Sequence, residues 1–142
     1  MKQGLNNYST NINRLEKEIL ERASFMSNTK WFKLFTEIEN EKIKIHSAFI
    51  KFLLTDRTYK FHFGGFHETG FGDVSELGPF NFNEIEWILI PAKHETERRN
   101  RNEKLASEII FQPLEKLVQI MDALGQFEYD TTEEGLKIYG YK

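Results

Sequence analysis

The stretch IKIHSAFIKFLLTDRTYKFHF, Ile43–Phe63, replaces a helical hydrophobic period with the two-residue period of a strand. Apolar residues alternate over residues 43–54, and they alternate again over residues 59–63 after a polar break at residues 55–58. Two alternating runs that are joined by a short polar break are typical of a β-hairpin. The stretch therefore predicts two antiparallel strands, the first of them covered on both faces.

A third strand and a C-terminal hairpin extend this predicted sheet. Apolar residues alternate with glutamates in residues 83–90, and Pro91 is expected to end the strand. Near the end of the chain, residues 127–129 and 136–141 flank a polar turn. The sheet is therefore predicted to have four or five mainly antiparallel strands.

Helices are predicted before the sheet and near the end of the chain. Residues 12–26 carry apolar side chains at helical spacing, and the side chains of Ser27, Asn28 and Thr29 are suited to cap a second helix. The apolar face of that second helix consists of Trp31, Leu34, Phe35 and Ile38. Pro113 suits the first turn of a third helix, which Gly125 is expected to end. The predicted fold class is α+β, with two N-terminal helices and one long helix packed on a face of the sheet.

Length and composition limit the classes of protein. Residues 1–11 are polar and rich in asparagine and are expected to be a flexible lead-in, and the length of 142 residues fits a single domain at residues 12–142. A net charge of −3 disfavours nucleic acid as a partner, because no overall positive field attracts phosphates. The absence of cysteine excludes thiolate chemistry and fits a reducing compartment. The apolar runs are far shorter than the roughly 20 residues of a membrane span, and we expect a cytoplasmic protein.

The stretch KFHFGGFHETGFGDVSELGPF, residues 60–80, holds the candidate reactive residues. Its competent metal ligands and proton carriers are His62, His67, Glu68 and Asp73. The two histidines lie five positions apart across a pair of glycines, and this spacing does not place them on one rigid element as a metal site requires. We therefore predict no metal, no cofactor and no catalytic residue. A small metal-assisted or acid-base hydrolase that uses these four residues is the alternative.

Phenylalanines are the more informative residues of this region. An exposed phenylalanine is unfavourable unless another surface covers it. Phe80 and Phe82 approach the third strand at alternate positions and are expected to pack on the protein's own sheet. Phe66 and Phe71 either do the same or serve as an aromatic anchor for another chain. The partner-binding residues predicted on this second alternative are Phe66, His67, Glu68, Phe71, Asp73 and Glu76.

Charge is distributed unevenly along the chain. Acidic residues concentrate on the two leading helices, at Glu16, Glu18, Glu21, Glu37, Glu39 and Glu41. Such a face either is simply solvated or accelerates the encounter with a basic partner. Residues 91–104 contain spaced charges of both signs, which predict a solvated helix or a mobile excursion.

Three short motifs carry a resemblance to a known group of proteins. They are NTKW at Asn28–Trp31, IEW at Ile85–Trp87 and GLKIYGY at Gly135–Tyr141. Over residues 27–142 the chain resembles a family of small, uncharacterised bacterial proteins. The resemblance implies a cytoplasmic α+β protein and brings no catalytic residues. Proteins of this size and style also resemble the immunity partners of bacterial toxins.

Two observations lead to a predicted function. The chain offers no convincing reaction centre, and its residues 60–80 form an aromatic and acidic stretch that suits a protein surface. We therefore predict a non-enzymatic protein-binding module, such as an immunity or antitoxin-like inhibitor. The predicted partner is a basic protein such as a toxin, without involvement of a membrane or a nucleic acid.

Overall fold

The structure is a computed structural model that describes residues 13–63, 70–74, 77–96 and 108–142, with the backbone alone at Phe71. In these residues the helices are α1 (residues 13–21), α2 (Asn28–Asn40) and α3 (Leu114–Leu124), and a short 3-10 helix spans Phe82–Glu84. The strands are β1 (Phe49–Phe52), β2 (Thr58–Lys60), β3 (Phe71–Val74), β4 (Gly78–Asn81), β5 (Ile85–Pro91), β6 (Lys93–Glu95), β7 (Ile109–Phe111), β8 (Tyr129–Thr131) and β9 (Gly135–Tyr139). None of the described helices has both the length and the apolar character that crossing a membrane requires.

Five strands form one antiparallel sheet in the order β2-β1-β5-β9-β8. Ile50 pairs with Ile88, and Ile88 pairs with Ile138, so that three buried isoleucines cross the centre of the sheet. The described residues also form two separate ribbons, β3–β4 and β6–β7. The predicted α+β class and the mainly antiparallel sheet are confirmed.

Helix α2 supplies the aromatic centre of the core. Its N-cap is Ser27, one of the three predicted candidates, and the Ser27 hydroxyl accepts a hydrogen bond from the Lys30 amide at 3.1 Å. Its buried side chains are the four predicted ones, Trp31, Leu34, Phe35 and Ile38. The ring of Phe35 lies 5.4 Å from that of Phe82 in an edge-to-face arrangement, which is favourable for aromatic pairs.

Phe80 and Phe82 are covered by the protein itself, as the sequence predicted. Phe80 is 3% exposed and Phe82 is 0% exposed. Phe80 lies on β4 opposite Gly72 of β3, so that part of the glycine-rich stretch is a regular ribbon. Because Gly72 has no side chain, it leaves room for the ring of Phe80 on the opposite strand to turn into the core.

The charged segment after β5 is not a helix where the structure describes it. β6 pairs with β7, and this pairing places Lys93 opposite Phe111 and Glu95 opposite Ile109. Charge pairs at helical spacing contribute only about 0.2–0.5 kcal/mol each, which is too little to compete with pairing to an available strand. The predicted solvated helix is therefore wrong for residues 93–95, and residues 97–107 lie outside the described part of the chain.

Glu86 joins α1 to the sheet from within β5. The residue is 9% exposed, and its carboxylate accepts a hydrogen bond from Arg22 at 2.6 Å and also pairs with Lys51. Arg22 in turn pairs with Glu18 at 3.0 Å. The hydrogen bond to Glu18, followed by the charges of both glutamates, raises the pKa of Arg22 against the opposing effect of burial. A carboxylate in this position is therefore satisfied by two cations from different elements.

Replacing Glu86 by glutamine is expected to lower the free energy of unfolding by about 2 kcal/mol, because Lys51 then loses its carboxylate partner and Arg22 loses one of its two. Urea unfolding followed by circular dichroism measures this loss. The matched control is Glu128→Gln, since Glu128 pairs with Lys142 at 2.7 Å but the two side chains are 39% and 40% exposed. Exposed pairs contribute little to stability. Equal losses in the two variants would contradict the assignment of a structural role to the buried pair.

Candidate functional site

Three histidines meet at one edge of the five-stranded sheet. β1 runs antiparallel to both β2 and β5, so that the start of β1 and the ends of β2 and β5 lie at the same edge. His46 precedes β1, His62 follows β2, and His94 lies in β6 just after β5. All three line one cleft of about 590 Å³, which we call the histidine cleft.

The histidine cleft combines apolar walls with charged side chains. The apolar residues that line it are Ala48, Phe49, Phe61 and Pro91. Its charged lining consists of Lys60, Lys93 and Glu95. The volume lies within the range of about 300–1,000 Å³ that is typical of small-molecule sites. The lining therefore has the size and the polarity of a binding site for a small ligand with an anionic group.

The imidazole rings of His46 and His94 stack on each other. Their centroids are 5.6 Å apart and their planes differ by 12°. His46 and His62 are exposed, and His94 is half-buried. Within the part of the chain that the structure describes, no hydrogen bond engages any of these three imidazoles. Their ring nitrogens therefore remain available to a ligand in the cleft.

Gln112 ties the segment before β1 to the end of β5. Its side-chain oxygen accepts hydrogen bonds from the amides of His46 at 2.8 Å and Ser47 at 3.1 Å. Its side-chain nitrogen donates to the carbonyls of Ser47 at 3.0 Å and Pro91 at 2.8 Å, and to the Ser47 hydroxyl at 3.2 Å. The residue is 6% exposed, and a buried amide that satisfies all its partners makes its surroundings rigid. One side chain thus fixes the backbone on two sides of the cleft.

The described side chains of the cleft do not form the hydrogen bonds of an activated nucleophile. A nucleophile is activated by a base within hydrogen-bond reach, and that base is in turn oriented by a third group. In the described residues the Ser47 hydroxyl accepts a hydrogen bond from Gln112 and makes none to an imidazole. The same residues contain no group of three histidine, aspartate or glutamate side chains that could hold a metal ion. The cleft supplies N–H donors for an anion and no assembled reaction centre among the described side chains.

Most residues of the predicted site lie outside the described part of the chain. These are Phe66, His67, Glu68 and Glu76, together with the side chain of Phe71. Asp73 is exposed on β3 opposite Pro79, and His62 lines the histidine cleft. The partner-binding surface predicted from these residues, and the alternative hydrolase site, therefore both stay predictions.

Sequence reasoning missed His46, His94 and Gln112. His94 lies in a segment whose charges indicate a solvated helix, and no local pattern distinguishes Gln112. A usable signal was nevertheless present in the histidine positions. Each of the three histidines lies in or shortly after a predicted strand, near an end that antiparallel pairing brings to one edge of the sheet.

A second surface feature lies on the outer side of the β6–β7 ribbon. Ile109 is 55% exposed and Phe111 is 73% exposed. Across the ribbon, Glu95 is opposite Ile109 and Lys93 is opposite Phe111, with the Lys93 ammonium 5.6 Å from the centre of the Phe111 ring. We call these four residues the ribbon face. It is a small apolar patch with charged residues at its side.

Comparison with known proteins identifies a family. No curated protein and no solved structure matches the chain. The sequence model of a family of unknown function, DUF6678, matches residues 15–142, which include all the elements from α2 to β9. The predicted resemblance to an uncharacterised family is confirmed, whereas the match does not address a bacterial origin or an immunity role. The chain belongs to the family of unknown function DUF6678.

Proposed function

We propose that this domain is a non-enzymatic protein-binding module whose anchor is the ribbon face. The observation that carries the proposal is the exposure of Phe111, which is 73% open to solvent. Every other phenylalanine with a described side chain is buried or half-buried. Covering an exposed phenylalanine contributes about 1.5–3 kcal/mol, and a partner protein is the natural source of such a cover.

The surroundings of Phe111 support an interface. Ile109 lies two residues away on the same strand and therefore projects from the same side of the ribbon. Lys93 and Glu95 lie opposite these two residues and provide a polar edge. An apolar centre with a polar rim is the usual anatomy of a protein-protein contact. These observations support a protein-binding module. They favour Ile109 and Phe111 as its anchor instead of Phe66 and Phe71.

Within this class we favour an immunity or antitoxin-like inhibitor that acts on a basic toxin in the cytoplasm. The support for the charge of the partner is the last turn of α2 and the residue that follows it. Glu39 and Glu41 are exposed there, and Glu37 is half-exposed. An acidic surface accelerates the encounter with a basic protein at low ionic strength.

Substitution of Phe111 by serine tests the proposal. The tagged wild-type chain and the variant are cross-linked in the native host, and the captured proteins are quantified by mass spectrometry. We expect recovery of the main partner to fall by at least about tenfold, which corresponds to the loss of one aromatic anchor. The melting temperature is expected to change little, because substitutions at exposed positions usually alter stability by less than about 0.5 kcal/mol.

The matched control is Leu20→Ser on α1. Leu20 is 86% exposed, so this change also removes a large exposed apolar side chain, but at another place on the surface. We expect this variant to capture the partner as the wild type does. If Phe111→Ser and the wild type recover the same proteins in the same amounts, the ribbon face is not the anchor.

A further inference from the structure

The histidine cleft is not needed for the proposed protein contact, and we propose that it binds a small molecule carrying a phosphate monoester group. This inference is independent of the proposed function. It rests on the chemistry of the cleft lining, on the way the fold holds that lining, and on the volume of about 590 Å³. The organic part of the ligand would lie against the apolar walls of the same cleft.

The lining supplies the donors that a phosphate needs. The cationic or cation-forming residues that line the cleft are His46, His62, His94, Lys60 and Lys93, and the Lys93 ammonium lies 5.6 Å from the centre of the Phe111 ring. Glu95 is the one acidic residue among the described residues that line the cleft. A lysine ammonium offers three N–H donors and an imidazole offers one or two. A phosphate monoester presents three strong acceptor oxygens and a charge of about −1.5 to −2, so that it uses more of these donors than a carboxylate does.

The fold holds the backbone that carries these donors in place before any ligand arrives. Lys60 of β2 pairs with Phe49 of β1, so that the residues carrying an ammonium group and an aromatic ring lie side by side on adjacent strands. On the other side, Gln112 binds the backbone of both His46 and Pro91. A preformed site loses less conformational entropy on binding than one that must first assemble. The arrangement therefore provides a subsite for an anion next to an apolar subsite.

A small ester fits the cleft better than a nucleic acid. The chain carries a net charge of −3, so that a long phosphate backbone would meet repulsion beyond the cleft. The volume of about 590 Å³ accommodates one small molecule. The chemistry of the site thus selects a single phosphate group on a small organic body.

Titration of the whole, isotopically labelled chain with phenyl phosphate tests the inference. Imidazole nitrogen-proton correlation spectra report on the individual histidines. We expect the signals of His46, His62 and His94 to shift together and to saturate with a Kd of about 1 mM or tighter. Phenol and benzoate keep the ring but carry no phosphate group, and we expect both to bind at least about tenfold more weakly. Benzoate binding as tight as that of phenyl phosphate, or the absence of a saturable shift, overturns the phosphate assignment.

Two lysine variants show whether the cleft itself is responsible. Lys60→Gln removes a cation from the lining, and Lys33→Gln removes an exposed cation from α2 at a place outside the cleft. We expect the first to weaken phenyl phosphate binding about tenfold and the second to leave it unchanged. Amide spectra of both variants verify that the fold is intact. Equal weakening in the two variants would mean unspecific attraction to surface lysines, which also overturns the inference.

Discussion

Replacing Gly135 by alanine is expected to reduce the free energy of unfolding by about 4 kcal/mol, through strain in the backbone and overlap with a neighbouring strand. Gly135 has a φ of +151° and pairs with Pro91 across the ladder between β9 and β5. A Cβ atom at this position would overlap the carbonyl oxygen of Ile90 and would lie 2.8 Å from the Cα of Pro91. Both groups belong to the central strand, and neither can move without breaking the sheet. Thermal unfolding should show a melting temperature lower by roughly 10 °C or more.

Gly125→Ala separates the two causes of this loss. Gly125 ends α3 with a φ of +155°, close to that of Gly135, but nothing lies within 4 Å of a Cβ built there. This variant therefore carries the backbone strain alone, for which we expect a loss of about 1–2 kcal/mol. If the two alanine variants melt at the same temperature, close approach of β9 to β5 is not the reason for glycine at position 135.

Replacing Gln112 by leucine is expected to cost about 3 kcal/mol and to disorder the histidine cleft. Leucine has a similar size but offers no hydrogen bond to the amides of His46 and Ser47 or to the carbonyl of Pro91. A buried polar group that loses its hydrogen-bond partner costs about 1–3 kcal/mol. Water can replace the lost partner only where the amides and the carbonyl reach the surface, so that only part of the stability is regained. Urea unfolding measures the loss of stability. Hydrogen exchange of the His46 and Ser47 amides should accelerate in the same variant.

The control for this prediction is Gln119→Leu. Gln119 lies on α3 and is exposed, so that the same chemical change occurs without the loss of a buried network. We expect its stability to remain within about 0.5 kcal/mol of the wild type. A Gln112→Leu protein as stable as the Gln119→Leu protein would show that the network does not hold the cleft together.

The helices were predictable because their signals are local. Ser27 caps α2 through a residue three positions away, and the four buried side chains of this helix follow directly from its period. Gly125 ends α3 as its conformational freedom suggests. The hairpin of β1 and β2 was also predictable, since its two strands are close in sequence. For such elements the residues that decide the structure lie within a few positions of one another.

The first strand shows where local reasoning fails. Alternation predicts a strand over residues 43–54, but β1 covers only Phe49–Phe52. The amides of His46 and Ser47, which a continuous strand would pair with a neighbouring backbone, donate instead to the side chain of Gln112. Gln112 is more than 60 residues away in the chain, and the spacing of hydrophobic residues cannot predict a hydrogen bond over that distance.

The candidate site was predictable only in part for the same reason. The sequence drew attention to His62, which does line the cleft, but it grouped this residue with its sequence neighbours. The actual companions of His62 are His46, which precedes β1, and His94, which lies in β6. Which strands are neighbours in the sheet is set by long-range packing in the core, where β1 lies between β2 and β5. A site assembled from three strand ends therefore appears only once the topology is known.

The two-stranded ribbon of β6 and β7 would couple ligand binding in the histidine cleft to partner binding at the ribbon face. Lys93 belongs both to the lining of the histidine cleft and to the ribbon face, where it lies over Phe111. A ligand that draws this ammonium into the cleft takes it away from the ring, and a partner that seats on the ring competes for the same side chain. Thermodynamic linkage makes such an influence reciprocal, so that whatever the ligand does to the affinity for the partner, the partner does equally to the affinity for the ligand.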